Sequence, residues 1–425
     1  MGANSAKDRR FDRVRRWMLL AVIIVSLLGC SSHGLAAKTR LIIWWPQGST
    51  EKAVLQAAIA DYAKVNPSVE IVPQWQPDSD DTQKLKIAYV GGNAPDIVRI
   101  DHVWVQALGY KRMFTDLVPY GANSVKNMFF DPTWQANTYK DKVFALPFDA
   151  NVICLMYNNT LLKSTGTTVP TTYDELIAVG KANTRDINND GKIDKWGYTI
   201  PVSAGGSGWL QFQWLTWLWR MGGEVLNEDW TRAVFNSPEG VKSLEMMIDV
   251  VKKHKIAPDG AYYEGDFYNG NVAMIDMGPW SMSGRDPKVF GFAPLPVLNP
   301  RVGEATGLGL YSLAITSSCK NPKAAYDFVK FVTTTPKYSA MWSKGTYLMP
   351  SLKTAYSDPL YRTGYWSVFM SQLPKAKMRP GTPAWPEIAG YISDAIQSVL
   401  AEKATAAEAL NKAAELSNKA LSKVK

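Results

Sequence analysis

The chain has 425 residues, room for two to four ordinary domains or two large lobes, and a formal net charge of +9. Six basic residues against two acidic ones lie before residue 30, so the remainder is only mildly basic and has no basic stripe interleaved with aromatics, which argues against a nucleic-acid surface. The hydrophobic share of 46% is ordinary, whereas 16 tryptophans are many, and indole faces suit flat, weakly polar ligands such as sugar rings.

In chain order, the basic segment is followed by an apolar run of 11 residues, 18–28. That is short of the ~20 needed to span a bilayer but right for a signal-peptide core. Leu27-Leu28-Gly29-Cys30 resembles a bacterial lipobox, in which the cysteine is lipidated before the preceding segment is removed. Residues 1–29 then form the signal, residues 30–37 a polar tether, and the protein sits outside the cytoplasmic membrane on a lipid at Cys30. The Arg9-Arg10 pair leaves a twin-arginine route as the alternative. Cys154 and Cys319 are too few for a disulfide framework and read as buried thiols, with a bridge between them as the alternative.

Residues 40–45 (RLIIWW) predict a strand, and Pro46 to Ser49 a turn into a helix that Ser49 or Thr50 can cap. Asn66-Pro67 ends it. Residues 69–75 alternate like a second strand, residues 82–90 form a second helix stopped by Gly91-Gly92, and residues 95–100 a third strand. This β-α-β-α-β order predicts a parallel, doubly wound α/β sheet with its site at the carboxyl ends of the strands. Trp44, Gln47, Asp101 and Trp104 fall at such ends.

Residues 143–147 and 152–158 read as strands around Phe148, Asp149, Ala150 and Asn151. A buried Asp149 needs a hydrogen-bonding partner, which a ligand hydroxyl could supply. Helical periodicity covers residues 173–182, 210–219 and 238–253, so the second half forms a lobe of different composition. In the 210–219 stretch Trp214 and Trp217 share one face and belong to the core, whereas Trp209, after Gly205-Gly206-Ser207-Gly208, sits in a loop and is the better ligand contact. Between helices, Asp186, Asn188, Asp190 and Asp194 match the first part of an EF-hand loop, but position 12 is Gly197 rather than Glu. A structural calcium and a self-held Asx-turn loop both fit. No other cofactor is expected.

Residues 274–280 (MIDMGPW) are an apolar strand broken by Gly278 and Pro279, presenting Trp280 at a strand end, as a core cap or as a ligand face. Strands follow at 289–296 and 308–316, a helix runs from Asn321-Pro322 to Phe331, and LMPS at 348–351 reads as a turn. From residue 388 the chain is helical, with Ala409, Leu410, Ala413 and Leu421 forming a packed stripe; a free coiled-coil tail is the alternative. His33, His102 and His254 are scattered, and neither HExxH nor GxSxG occurs.

Taken together, the lipobox, NAPDIVRIDHVWVQAL, VFALPFDANVICLMYNN, NVAMIDMGPW, GLGLYSLAITSSCKNPKAAYDFVKF, LMPS and RPGTPAW resemble the family 1 extracellular solute-binding proteins. These are the sugar receptors of ABC importers, related to maltose- and trehalose/maltose-binding proteins. The resemblance spans residues 38–421 and implies a two-lobed, type II periplasmic-binding-protein fold of the maltose-binding-protein kind, with the ligand cleft between lobes. It implies one lobe from residues 38–147 plus 288–335 and the other from 148–287 plus 336–425. Trp280 would stack on a sugar ring, Asp101 and Asp149 would accept from its hydroxyls, Arg379 would donate, and the backbone at Gly307 and Gly309 would approach it. Phe148 would lie beside them, and Gln47 stands where some relatives have an acid. The implied partners are a di- or oligosaccharide and the ABC permease, with the protein a monomer. Glycerol-phosphate or polyamine binding is the alternative within the class, and a lipid-anchored glycoside hydrolase, with its two carboxylates ~5 to 9.5 Å apart, the alternative outside it.

Overall fold

The computed structural model describes residues 38–77, 82–200, 209–260 and 264–424. The signal, lipobox and tether, with Cys30, lie outside the described residues. No described helix is long and apolar enough to cross a membrane.

The first lobe is built on a five-stranded sheet in the order Val69–Gln76, Thr39–Pro46, Ile97–Asp101, Tyr311–Ile315, Ala145–Pro147. The first three strands are parallel, and Tyr311–Ile315 runs antiparallel to both of its neighbours. Within Thr39–Pro46 the uninterrupted apolar run Leu41–Pro46 fits a strand covered on both sheet faces. Leu41, Ile43 and Trp45 enter one core, while Trp44 enters another on the opposite face. The helix after this strand spans Ser49–Val65, but it starts from Gly48 with no side-chain cap, so neither Ser49 nor Thr50 has the expected capping role.

The second lobe holds a three-stranded antiparallel sheet in which Cys154–Asn158 lies between Phe290–Ala293 and Met274–Met277. Helices Trp209–Met221 and Pro238–Lys252 pack against each other beside it, with Trp214, Trp217 and Leu218 completely buried. The carboxyl-terminal region is two helices, Trp385–Leu400 and Ala406–Leu421, the latter opened by a Thr405–Glu408 capping box. Ala409, Leu410, Ala413 and Leu421 are buried in the second-lobe core, which removes the free-tail alternative.

Between the lobes runs a hinge sheet in the order Met349–Pro350, Asp149–Val152, Thr306–Gly309, Ala376–Met378. Residues 148–151, expected between strands, thus supply most of a strand, because a chain crossing between lobes must still satisfy its backbone groups. The pairing also moves the later boundaries from the expected 288 and 336. Phe290–Ala293 pairs within the second lobe, and Pro336–Thr346 packs on Ser49–Val65 of the first.

Cys154 and Cys319 are free and buried in different cores, so the bridge alternative is not realised. Burial pushes the Cys154 thiol well up and the Cys319 thiol to about 12, despite a backbone N–H bond to Cys319 that works the other way. Native protein is therefore expected to leave both thiols unlabelled by an alkylating reagent at pH 8.5, and denatured protein to label both, as read by mass spectrometry.

Candidate functional site

A cavity of about 920 Å³ opens between the lobes. The first lobe contributes Asp101, Trp104 and Tyr311, the hinge Asn151 and Gly309, and the second lobe Trp209, Trp280, Arg379 and Trp385. One face of the Trp385–Leu400 helix forms a wall, since Pro386, Ala389, Gly390, Ser393 and Gln397 recur at helical spacing along the cavity.

Trp280 reaches the cavity because of the two residues before it. The buried strand Met274–Met277 ends at Gly278, and Pro279 opens a short 3-10 turn, Pro279–Met282. The indole folds back over Gly278: a Cβ there would lie 1.8 Å from the ring's Cζ3. Glycine at 278 is thus required by the ring, and the half-buried indole is braced edge-on by Trp209, with centroids 5.8 Å apart at 71°. Trp209 belongs to the helix Trp209–Met221 rather than to a loop.

The charged groups are arranged in pairs. Asp101 caps the helix His102–Tyr110 by accepting from the Val103 N–H at 3.1 Å, and Arg379 Nη2 lies 3.2 Å from each of its carboxylate oxygens. The Arg379 guanidinium in turn lies 4.6 Å over the Phe212 ring. Burial alone would raise the Asp101 carboxyl, but the Arg379 charge and the His102 ring hold it well below the usual carboxylate range. His102 Nδ1 is 2.8 Å from Asp101 Oδ1 and 3.2 Å from the Leu310 carbonyl, so this nitrogen must carry the proton to face two acceptors. Burial, then the nearby Arg379 charge, push the imidazole below its ordinary value and keep it neutral.

Asp149 does not reach the cleft. It is fully buried in the hinge, 2.7 Å from Arg99 Nη2 and accepting from the Tyr311 N–H at 3.2 Å. The expected partner of this carboxylate was a ligand hydroxyl; the partner is an arginine, whose guanidinium also lies 3.8 Å over the Tyr311 ring. Phe148 is likewise core, packed edge-on against Trp45 and Trp342. Trp44 is buried with its indole N–H donating to Gln74 Oε1 at 2.8 Å, and Gln47 is exposed beyond the strand end. Gly307 lies in the hinge against Phe212, where a Cβ would meet that ring at 2.7 Å. The cleft therefore gathers Asp101, Trp104, Trp209, Trp280, Gly309 and Arg379, and not Trp44, Gln47, Phe148, Asp149 or Gly307.

Sequence reasoning missed Arg99, Asn151, Tyr311 and Trp385. Tyr311 and Asn151 carry no local signal, because the sheet register decides which side of each strand meets the cavity. Trp385 had one, since it closes the RPGTPAW segment that begins with Arg379. In the Asp186–Asp194 loop the side-chain oxygens accept from the loop's own backbone: Asp186 from Gly191 at 2.8 Å, Asn188 from Asp190 at 2.9 Å, Asp190 from Lys192 at 2.8 Å and Asp194 from Ile187 at 2.7 Å. Gly191 supplies the positive φ that the turn demands. Among the described residues no group of three or more His, Cys, Asp or Glu side chains is gathered as a metal site.

The model of the bacterial extracellular solute-binding protein family matches residues 47–337. A maltotriose-binding protein of Pyrococcus abyssi is 25% identical over 369 residues, 85% of this chain and 77% of that protein. A galactooligosaccharide-binding protein of Bacillus subtilis is 22% identical over 94% of this chain and 95% of its own. Among solved structures, a cyclic α-maltosyl-1,6-maltose-binding protein from Arthrobacter globiformis superposes with a TM-score of 0.78 at 27% identity, covering 91% of this chain and 100% of that one.

Two expectations follow from the paired charges. Replacing Asp149 by Ala strands a buried guanidinium and is expected to lower stability by ~3 to 5 kcal/mol in denaturant melts, a structural effect rather than a lost ligand contact. His102, with its value lowered on folding, lets the unfolded chain bind the proton first, so stability falls as pH drops below about 6.5. His102→Asn is expected to flatten the slope of unfolding free energy between pH 7 and 5.

Proposed function

The chain belongs to the bacterial extracellular solute-binding protein family, and from that premise we propose that it captures an oligosaccharide in the interlobe cleft and hands it to the permease of an ABC importer. It is a binding protein, not an enzyme. The observation that carries the sugar reading is the cleft itself: Trp104, Trp209, Trp280 and Trp385 face one cavity in which both arginines already have carboxylate partners. Lys86 lies 4.8 Å over the Trp104 ring but does not line the cavity, and with both cleft arginines matched the indole faces favour a neutral, C–H-rich ligand over a phosphate, while Asn151, Gln211, Ser393 and Gln397 offer neutral hydrogen-bonding groups to hydroxyls. At about 920 Å³ the cavity is near the upper end of the ~300 to 1,000 Å³ of small-molecule sites, which favours several rings over one.

The relatives named for maltotriose and for galactooligosaccharides point the same way. Membership of the family places the protein outside the cytoplasm; attachment through lipid on Cys30, action as a monomer and docking to a permease complete the proposal. A ligand touching both lobes favours the closed arrangement through its differential contacts, and that arrangement is what a permease could distinguish.

Calorimetry on the mature protein tests the reading. Maltotriose is expected to bind more tightly than maltose, and maltose more tightly than glucose, because each added ring meets more indole surface. Trp280→Ala is expected to weaken maltotriose binding by ~1.5 to 3 kcal/mol, about 10- to 150-fold, with the fold retained. Absence of heat with neutral mono-, di- and oligosaccharides, alongside binding of a glycerol phosphate or a polyamine, would overturn the sugar assignment.

A further inference from the structure

Gly381 lies outside the cavity, two residues beyond Arg379, on the segment that leads from the hinge strand Ala376–Met378 into the second-lobe helix Trp385–Leu400. Facing it from the first lobe is Gln106, on the helix His102–Tyr110. A Cβ built on Gly381 would lie 2.0 Å from Gln106 Nε2 and 2.3 Å from its Oε1. The φ of Gly381 is not among the positive ones, so its own backbone accepts any residue; the demand for glycine comes from the opposite lobe.

Gln106 cannot simply swing away. Its side chain is 1% exposed, its Nε2 donates to the Gln135 carbonyl at 3.2 Å, and its Oε1 has no hydrogen-bond partner among the described residues. Displacing the amide to admit a methyl group would break that bond inside a packed surface. The Asp101–Arg379 pair spans the same junction, and the helices His102–Tyr110 and Trp385–Leu400 pack against each other beside it.

We propose that Gly381 against Gln106 is the stop that sets how far the lobes close, making Gly381 a positioning residue for ligand capture without ligand contact. Any side chain at 381 holds the lobes apart, stretches the Asp101–Arg379 pair and separates Trp104 from the indoles of the second lobe. Because a partly closed cleft is binding-competent only in the fraction of molecules that still close, the apparent affinity falls by that fraction. The inference rests on the cleft being the binding site proposed above.

The test is a set of three proteins, wild type, Gly381→Ala and the double variant Gly381→Ala with Gln106→Ser, each labelled with one spin label per lobe on exposed positions away from the cleft. In the ligand-free distance distribution Gly381→Ala is expected to shift the shortest, most closed population to longer interlobe distance, and the double variant to restore it, since the serine vacates the space that the methyl group needs. With maltotriose as probe, Gly381→Ala is expected to bind about tenfold more weakly, with recovery in the double variant. An unchanged distance in Gly381→Ala, or a lengthened one that Gln106→Ser fails to shorten, overturns the proposal. If the wild type fails to bind maltotriose, the oligosaccharide reading is what falls, and the ligand-free distances still decide whether Gly381 is the stop.

Discussion

Two arginines reach the junction between the lobes, and each must be neutralised where little water is available to solvate it. An isolated charge in such a place would cost several kcal/mol, so the fold supplies a carboxylate for each within hydrogen-bonding distance or close to it. Arg99 takes Asp149, which fastens the hinge strand Asp149–Val152 to the first-lobe sheet. Arg379 takes Asp101, which fastens the second lobe to the first. Both lobes are thereby tied to the hinge region by charge pairs. The carboxylates that look from sequence like sugar acceptors are thereby bound to arginine, and Asp101 retains contact with the cavity only from beside its own partner.

The tryptophans divide between two tasks according to what lies next to them. Trp214 and Trp217 belong to the second-lobe core and are completely buried, the first donating to Ser243 Oγ and the second lying under the Arg220 guanidinium. Trp280 has glycine beneath it and Trp209 at its edge, so it stands half-covered with one face turned to the cavity. A rigid aromatic held by such contacts loses little conformational freedom when a ring stacks on it, which is why a few indoles can supply much of the affinity. Glycine recurs wherever surfaces must approach closely: under the Trp280 ring at 278, beside Asn151 at 309 and across the lobes at 381.

The hinge sheet carries the chain between the lobes with its backbone groups paired. Chain that merely looped between the lobes would leave backbone groups unpaired at a partly buried junction, whereas Asp149–Val152 and Thr306–Gly309 pair with each other and with the short outer strands. The sheet thereby joins the lobes while leaving each core intact. The two main cores, one around the first-lobe sheet and one around the second-lobe helices, are separate for the same reason.

The sequence by itself determined the parallel α/β beginning, the helix-rich second half and the strand that delivers Trp280. Each of these rests on local periodicity and on residues such as Gly278 and Pro279 whose backbone effects act at short range. It also determined that Trp214 and Trp217 are core, because their spacing puts them on one helical face. Sequence could not show that Asp149 points at Arg99, 50 residues away, nor that Phe148 and Trp44 turn into the cores. Those outcomes depend on sheet register, which sends alternate side chains to opposite faces and is fixed only when the strands pair. Tyr311 and Asn151 entered the cleft, and Gly307 left it, by the same register. What only the tertiary structure decided is which carboxylate meets which arginine and which glycine meets which neighbour, since such contacts join residues that the chain keeps far apart.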